Sequence, residues 1–149
     1  MSSSHADLTR EIAQRLGRTV EWGMRMNHSA ASSLNINTSD MFCLQALQSG
    51  PKTAGELARH LGITTASTTT MIDRLERAGF VTRTRDPQDR RRVAVQLVDD
   101  RARQEIAPLF APLVRSWLQH LADYDEAELR VIAGFLASVE ESFAAEIEG

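Results

Sequence analysis

Residues 53–79 read TAGELARHLGITTASTTTMIDRLERAG, and this stretch decides the fold. Thr53-Ala54-Gly55-Glu56 has the spacing of a capping box, in which the hydroxyl accepts from a backbone N–H three residues on and the carboxylate reaches back. It predicts a short helix with Leu57, Ala58 and Leu61 on its inner face. Gly62 supplies a tight turn, and Ile63 plugs the angle. Thr64 then caps a further helix, Thr65 to Ala78, whose buried stripe is Thr68, Ile72 and Leu75. Gly79 ends that helix as the left-handed residue such a terminus needs. Two short helices joined through a glycine turn make a helix-turn-helix.

Downstream, Phe80 to Thr84 and Val93 to Leu97 are β-branched runs that predict two strands. The loop between them, RDPQDRRR over residues 85–92, carries a proline, two aspartates and four arginines. A hairpin after a helix-turn-helix is a winged helix, here with a cationic tip. Upstream, Leu8, Ile12, Leu16, Val20 and Met24 recur every four residues and predict one long helix from Asp7 to about Leu34. A second is expected to take Thr38 as its N-cap, with Asp40 in the first turn, and to stop at Ser49-Gly50-Pro51. In the last third, Ile106 through Leu121 forms an apolar stripe that Asp99 or Asp100 can cap. Pro108 and Pro112 lie inside it and predict a kink or a late start. Asp125 to Glu128 opens a final helix with Leu129, Ile132, Leu136, Val139, Phe143 and Ile147 on one face.

The expected fold class is therefore mostly α with a small β-hairpin. It divides into N-terminal helices (1–50), a winged helix-turn-helix lobe (51–98) and a C-terminal helical region (99–149). Long amphipathic helices draw their stability from covering the apolar face. The end helices must pack on the winged lobe of their own chain or on a second copy, and a two-fold homodimer is the commonest closed arrangement.

The formal net charge of −3 is an average over a polarised chain. Residues 74–92 hold seven basic and three acidic side chains, whereas residues 104–149 hold two and nine. A binder of polyanions needs a basic surface on one face only. Of the 17 cationic residues 16 are arginine, the residue suited to bidentate phosphate and base-edge contacts.

Several function classes fall away. There is no Gly-rich phosphate loop behind a strand, no nucleophile elbow and no paired acid and base, so no enzyme and no cofactor are expected. His5, His28, His60 and His120 lack ligand spacing, so no metal is expected. No charge-free apolar run approaches the 18 or so residues that span a bilayer, and Met1 to Arg10 has no signal core. A soluble, cytoplasmic protein without a membrane partner is the expectation. Cys43 sits in the apolar stretch Met41-Phe42-Cys43-Leu44, where a buried inert thiol and a redox switch are the two readings.

Taken together, these segments resemble the MarR family of bacterial transcriptional regulators. The resemblance is strongest from Gly50 to Leu97, through Leu61-Gly62-Ile63, Ile72-Asp73-Arg74-Leu75-Glu76-Arg77-Ala78-Gly79 and Asp86-Pro87-Gln88-Asp89-Arg90-Arg91. The family's Asp-x-Arg wing signature falls on Asp89-Arg90-Arg91. The resemblance implies a winged-helix homodimer on double-stranded DNA, often a repressor released by a small-molecule effector, sometimes by oxidation.

Under that reading Thr64, Thr65, Ala66, Ser67, Thr69 and Thr70 enter the major groove, with Arg74 on a phosphate; tolerated surface threonines and a solvated arginine are the bland alternatives. This helix lacks a basic residue in its first two turns, which shifts binding towards phosphates and the wing. Arg91 is the family's wing arginine, expected in the minor groove, with Asp73 and Asp89 holding it and Arg90 and Arg92 on phosphates or in solvent. An ordinary helix ion pair between Asp73 and Arg77 competes for that aspartate. Trp22, Met26, Met41, Phe42, Phe110 and Trp117 either line an effector cavity or form an ordinary core. The competing function is a winged helix used for protein–protein contact, which has no need of three consecutive arginines at the wing tip.

Overall fold

A computed structural model describes residues 4–148. The elements run α1 (His5–Ser33), α2 (Thr38–Ala46), β1 (Lys52–Thr53), α3 (Ala54–Leu61), α4 (Thr65–Arg77), β2 (Val81–Arg85), β3 (Val93–Leu97), a short turn α5 (Asp99–Arg101), α6 (Ala107–Leu121) and α7 (Glu126–Glu148). A 3-10 turn over Leu47–Ser49 extends α2, and a π turn over Ala102–Ile106 separates α5 from α6. The chain divides into two compact units, the first ending at Ile106 and the second starting at Ala107.

The caps of α3, α4 and α7 form as the spacing predicts, but neither Asp99 nor Asp100 caps α5: Val98 precedes it with no side-chain cap bond, and Asp99 is already its first residue. Glu56 N–H donates to Thr53 Oγ1 at 3.2 Å and Thr53 N–H to Glu56 Oε2 at 2.8 Å. Ser67 N–H donates to Thr64 Oγ1, and Asp125 and Glu128 cap α7 reciprocally. At α2 the cap lies one residue earlier than expected. Asn37 Oδ1 accepts from Asp40 N–H at 2.8 Å, and the Asp40 carboxylate accepts from Asn37 N–H, so Thr38 is the first helical residue. Asn and Asp cap as well as Ser and Thr, and the Asn–Asp pair closes a box that Thr38 lacks.

Hydrogen bonding adds a strand that the sequence reading lacks. The sheet has the order β1-β3-β2, all antiparallel, with Lys52 opposite Val95 and Arg83 also opposite Val95 across the other edge. Two residues carry no readable alternation, so β1 is defined only by its partner. The late start expected from the prolines is not a gap: the π turn over Ala102–Ile106 runs directly into α6, whose first turn holds Pro108 and whose interior holds Pro112.

One core holds the first unit together. Met41, Cys43 and Leu44 of α2, Leu57 of α3, Ile72 and Leu75 of α4, Val81 of β2, Val95 of β3 and Ile106 are all buried in it. Burial pushes the Cys43 thiol up to about 12, with Asp40 nearby adding to the effect, so the inert reading of this cysteine fits and the reactive thiolate is disfavoured. In the second unit neither α6 nor α7 has a buried residue.

The junction between α4 and the wing is built around Gly79. Its φ of 81° is left-handed, and a Cβ there would meet Arg101 Nη1 at 3.2 Å. Arg101 donates to the Ala78 carbonyl and lies over the Phe80 ring, 4.3 Å from its centroid. Gly79→Ala is therefore expected to cost roughly 1–2 kcal/mol, the ordinary penalty for a side chain in that conformation. Urea unfolding at constant m-value measures it, and an unchanged midpoint would mean the turn relaxes freely.

Candidate nucleic-acid interface

The residues singled out above occupy two neighbouring elements, α4 and the β2–β3 loop. Burial of Thr68, Met71, Ile72 and Leu75 turns the opposite face of α4 to solvent. Thr64, Thr65, Ala66, Ser67, Thr69 and Thr70 are all exposed there, while the intervening Thr68 is fully buried. The hydroxyls of Thr68, Thr69 and Thr70 donate to the carbonyls of Thr64, Thr65 and Ala66, at 2.9, 3.0 and 3.1 Å. Thr64 Oγ1 donates to Ser67 Oγ. Beside this face a groove of about 460 Å³ runs between the start of α2 (Asn37, Ser39) and Ala66, Ser67 and Thr70.

Two sets of ion pairs brace α4. Arg74 donates through Nε and Nη2 to the Asp40 carboxylate at 3.1 and 2.5 Å. Asp40 is 1% exposed, so the pair ties α4 to the first turn of α2 through a buried anion, and it holds Arg74 more firmly protonated than usual. Sequence reading put Arg74 on a phosphate and missed Asp40, because 34 residues separate the two.

On the other side Arg83 of β2 spans Asp73 and Glu76. Its Nη2 donates to Asp73 Oδ1 and its Nη1 to Glu76 Oε1, each at 2.6 Å, while its N–H donates to Glu76 Oε2 at 3.1 Å. Asp73 thus braces the wing through Arg83 rather than holding Arg91, and Arg77 donates only to the Asp73 backbone carbonyl. The reason is reach: Asp73 and Glu76, three apart, place two carboxylates on one helix flank, and β2 passes directly beside them. That spacing, followed by an arginine on the next strand, was a legible signal for Arg83 and Glu76.

At the wing, Asp86 and Asp89 each form a short turn by accepting from a backbone N–H two residues on, Gln88 and Arg91 respectively. Asp89 also takes the Arg91 Nε at 3.1 Å, as expected, and these bonds hold its carboxyl below the ordinary carboxylate value. Arg91 remains 91% exposed. Arg92 stays half exposed while its Nη2 donates to Thr53 Oγ1 at 3.4 Å and its Nε lies 3.9 Å from Asp86 Oδ2, and Arg90 stays in solvent.

Of the residues suggested for an effector cavity, Met41 belongs to the core. Phe42, half exposed, lines a groove of about 470 Å³ with Gln45, Ser49, Lys52, His60 and Leu61. Among the described residues no cluster of His, Cys, Asp or Glu could hold a metal, and no helix is long and apolar enough to cross a membrane.

The profile of the MarR family matches residues 36–93, the span from the cap of α2 to the start of β3. The chain is 33% identical to YcgE, an uncharacterized HTH-type transcriptional regulator of Bacillus subtilis, over 98% of this chain and 95% of that protein. The chain belongs to the MarR family. This MarR-family protein is a transcriptional regulator with a DNA-binding winged helix.

Solved MarR-type structures share its fold at low identity. FabT of Streptococcus pneumoniae, crystallised in complex with DNA, is 20% identical with a TM-score of 0.67, over 92% of this chain and 98% of that one. A MarR family protein from Bacillus stearothermophilus is 22% identical with a TM-score of 0.64, over 95% and 99%.

The braces on α4 differ in burial, and their removal should differ accordingly. Arg74→Met strands a buried carboxylate and is expected to cost about 1–3 kcal/mol. Arg83→Met releases partly solvated groups and should cost about 1 kcal/mol or less. Denaturant titrations at neutral pH rank the two, and a reversed order would contradict this account.

Proposed function

We propose that the protein is a sequence-specific double-stranded DNA-binding regulator that works in the cytoplasm as a homodimer, and that it represses transcription until an effector releases it. The observation that carries the DNA reading is the pairing of an uncovered α4 face with a fully presented wing arginine: Arg91 is anchored by Asp89 yet 91% exposed. An arginine so oriented and so bare suits a narrow minor groove, where negative potential is concentrated. Thr64, Thr65, Ala66, Ser67, Thr69 and Thr70 face the adjacent major groove, and Arg90 meets phosphate. Arg74 is engaged by Asp40 but still 44% exposed, and it offers its outer edge to a phosphate. FabT, of the same fold, is found with DNA.

The homodimer rests on what a single chain leaves uncovered. Leu8, Ile12, Trp22 and Met24 of α1, Trp117 and Leu118 of α6, and Val131, Leu136, Phe143 and Ile147 of α7 are all exposed. Apolar surface on that scale marks an interface. Domain roles follow: residues 1–50 and 99–149 serve dimerisation and residues 51–98 bind DNA. A two-fold pair places two copies of α4 about one helical turn of duplex apart. Effector release is supported by the family alone, and the buried Cys43 argues against an oxidation switch.

Arg91→Ala is expected to weaken operator binding by roughly 1–3 kcal/mol while leaving the oligomeric state and the melting curve unchanged. Gel shift and light scattering measure both, and full affinity in this variant removes the wing from the mechanism. Leu136→Glu, at a position half exposed in the single chain, is expected to convert dimer to monomer without unfolding. A sedimentation profile identical to that of the parent would mean α7 takes no part in the interface.

A further inference from the structure

The face of α4 proposed above to enter the major groove carries an unusual set of readers. Side chains that read bases by paired hydrogen bonds are Arg or Lys for guanine, Asn or Gln for adenine, and Asp or Glu for cytosine. From Thr64 to Ile72 this helix has none of them. With Thr68, Met71, Ile72 and Leu75 buried, the helical period places Ala66, Thr69 and Thr70 along the outermost ridge. Ala66 offers a bare methyl. Thr69 and Thr70 have committed their hydroxyl protons to the Thr65 and Ala66 carbonyls, so each presents a methyl group and an oxygen with free lone pairs. Asp73, the next polar group along this face, is occupied by Arg83.

Such a ridge suits one base feature above the others. Thymine alone carries a C5-methyl in the major groove, and Ala and Thr methyls are its apolar partners. Guanine presents acceptors there, which back-bonded hydroxyls do not satisfy; the free oxygen lone pairs can each take at most one amino proton of adenine or cytosine, the hydroxyl readout that the Ser and Val variants below separate from methyl contact. We infer that α4 selects its sites by methyl–methyl contact, with Ala66, Thr69 and Thr70 packed on thymine C5-methyl groups. The ligand is thus a duplex with thymines at the positions facing α4, and cations on the wing supply affinity with little sequence information. This inference rests on the DNA-binding reading of α4 given above.

The test uses the full-length protein and duplexes that it selects from a random pool. Replacing each selected thymine by deoxyuridine removes only the methyl. Affinity should fall roughly three- to fivefold for each contacted methyl, while 7-deazadeoxyguanosine in place of guanine should change nothing. Thr70→Val keeps the methyl and removes the hydroxyl, so it should preserve discrimination between thymine and uracil. Thr70→Ser keeps the hydroxyl and removes the methyl, so it should lose discrimination at one position. The opposite pattern, Ser discriminating and Val not, overturns the inference in favour of hydroxyl readout. Deoxyuridine probes bound as tightly as thymine probes also overturn it, even if Thr70→Ala weakens selected-site binding. Should Ala66, Thr69 and Thr70 all be replaceable without effect on any duplex, the DNA-binding reading of α4 itself fails.

Discussion

The inner stripe of α4, formed by Thr68, Met71, Ile72 and Leu75, is buried against a core supplied by α2, α3 and the sheet. Everything exposed on that helix follows from it. A helix whose buried side is set by close packing cannot roll without opening cavities, and cavities in a dense core are costly. Thr68 is the telling member, a polar residue at zero exposure whose hydroxyl is satisfied within the helix by the Thr64 carbonyl. Its neighbours Thr69 and Thr70 then point outward, and six candidate readers share one exposed surface.

Charge refines the orientation that packing sets. Arg74 reaches back to the buried Asp40 of α2, and Arg83 reaches across from β2 to Asp73 and Glu76. Pairs of this kind add little net stability over an apolar replacement, because desolvation offsets attraction. They do specify direction: α4 is tied on one side to the helix behind it and on the other to the strand that leads into the wing. Asp40 serves twice, as the carboxylate of the α2 capping box and as the Arg74 partner. The start of α2 and the lie of α4 are therefore coupled through one side chain.

Much of this was legible in residues 53–97. Capping boxes, the glycine after a helix, and β-branched runs around a charged loop are local signals, and their partners lie within a few residues. The Asp89–Arg91 bond was readable for the same reason. The Asn37 cap was missed because Thr38 beside it is also a competent cap, and only the reciprocal bond with Asp40 separates the two. The strand β1 was invisible because two residues have no period. Asp73 was assigned to Arg91 when β2 brings Arg83 nearer.

By itself the sequence determined the longer helices and the hairpin, their limits to within a residue or two, which stripe of each helix is apolar, and that positive charge gathers at the wing while negative charge gathers in the last third. These are properties of neighbours along the chain, governed by hydrogen bonds and periodicities a few residues long. Only the tertiary structure decided that Arg74 meets Asp40 and Arg83 meets Asp73 and Glu76, and that the Cys43 thiol lies in the core. Those outcomes depend on groups up to 34 residues apart being brought within 3 Å by packing, and no local spacing encodes that distance.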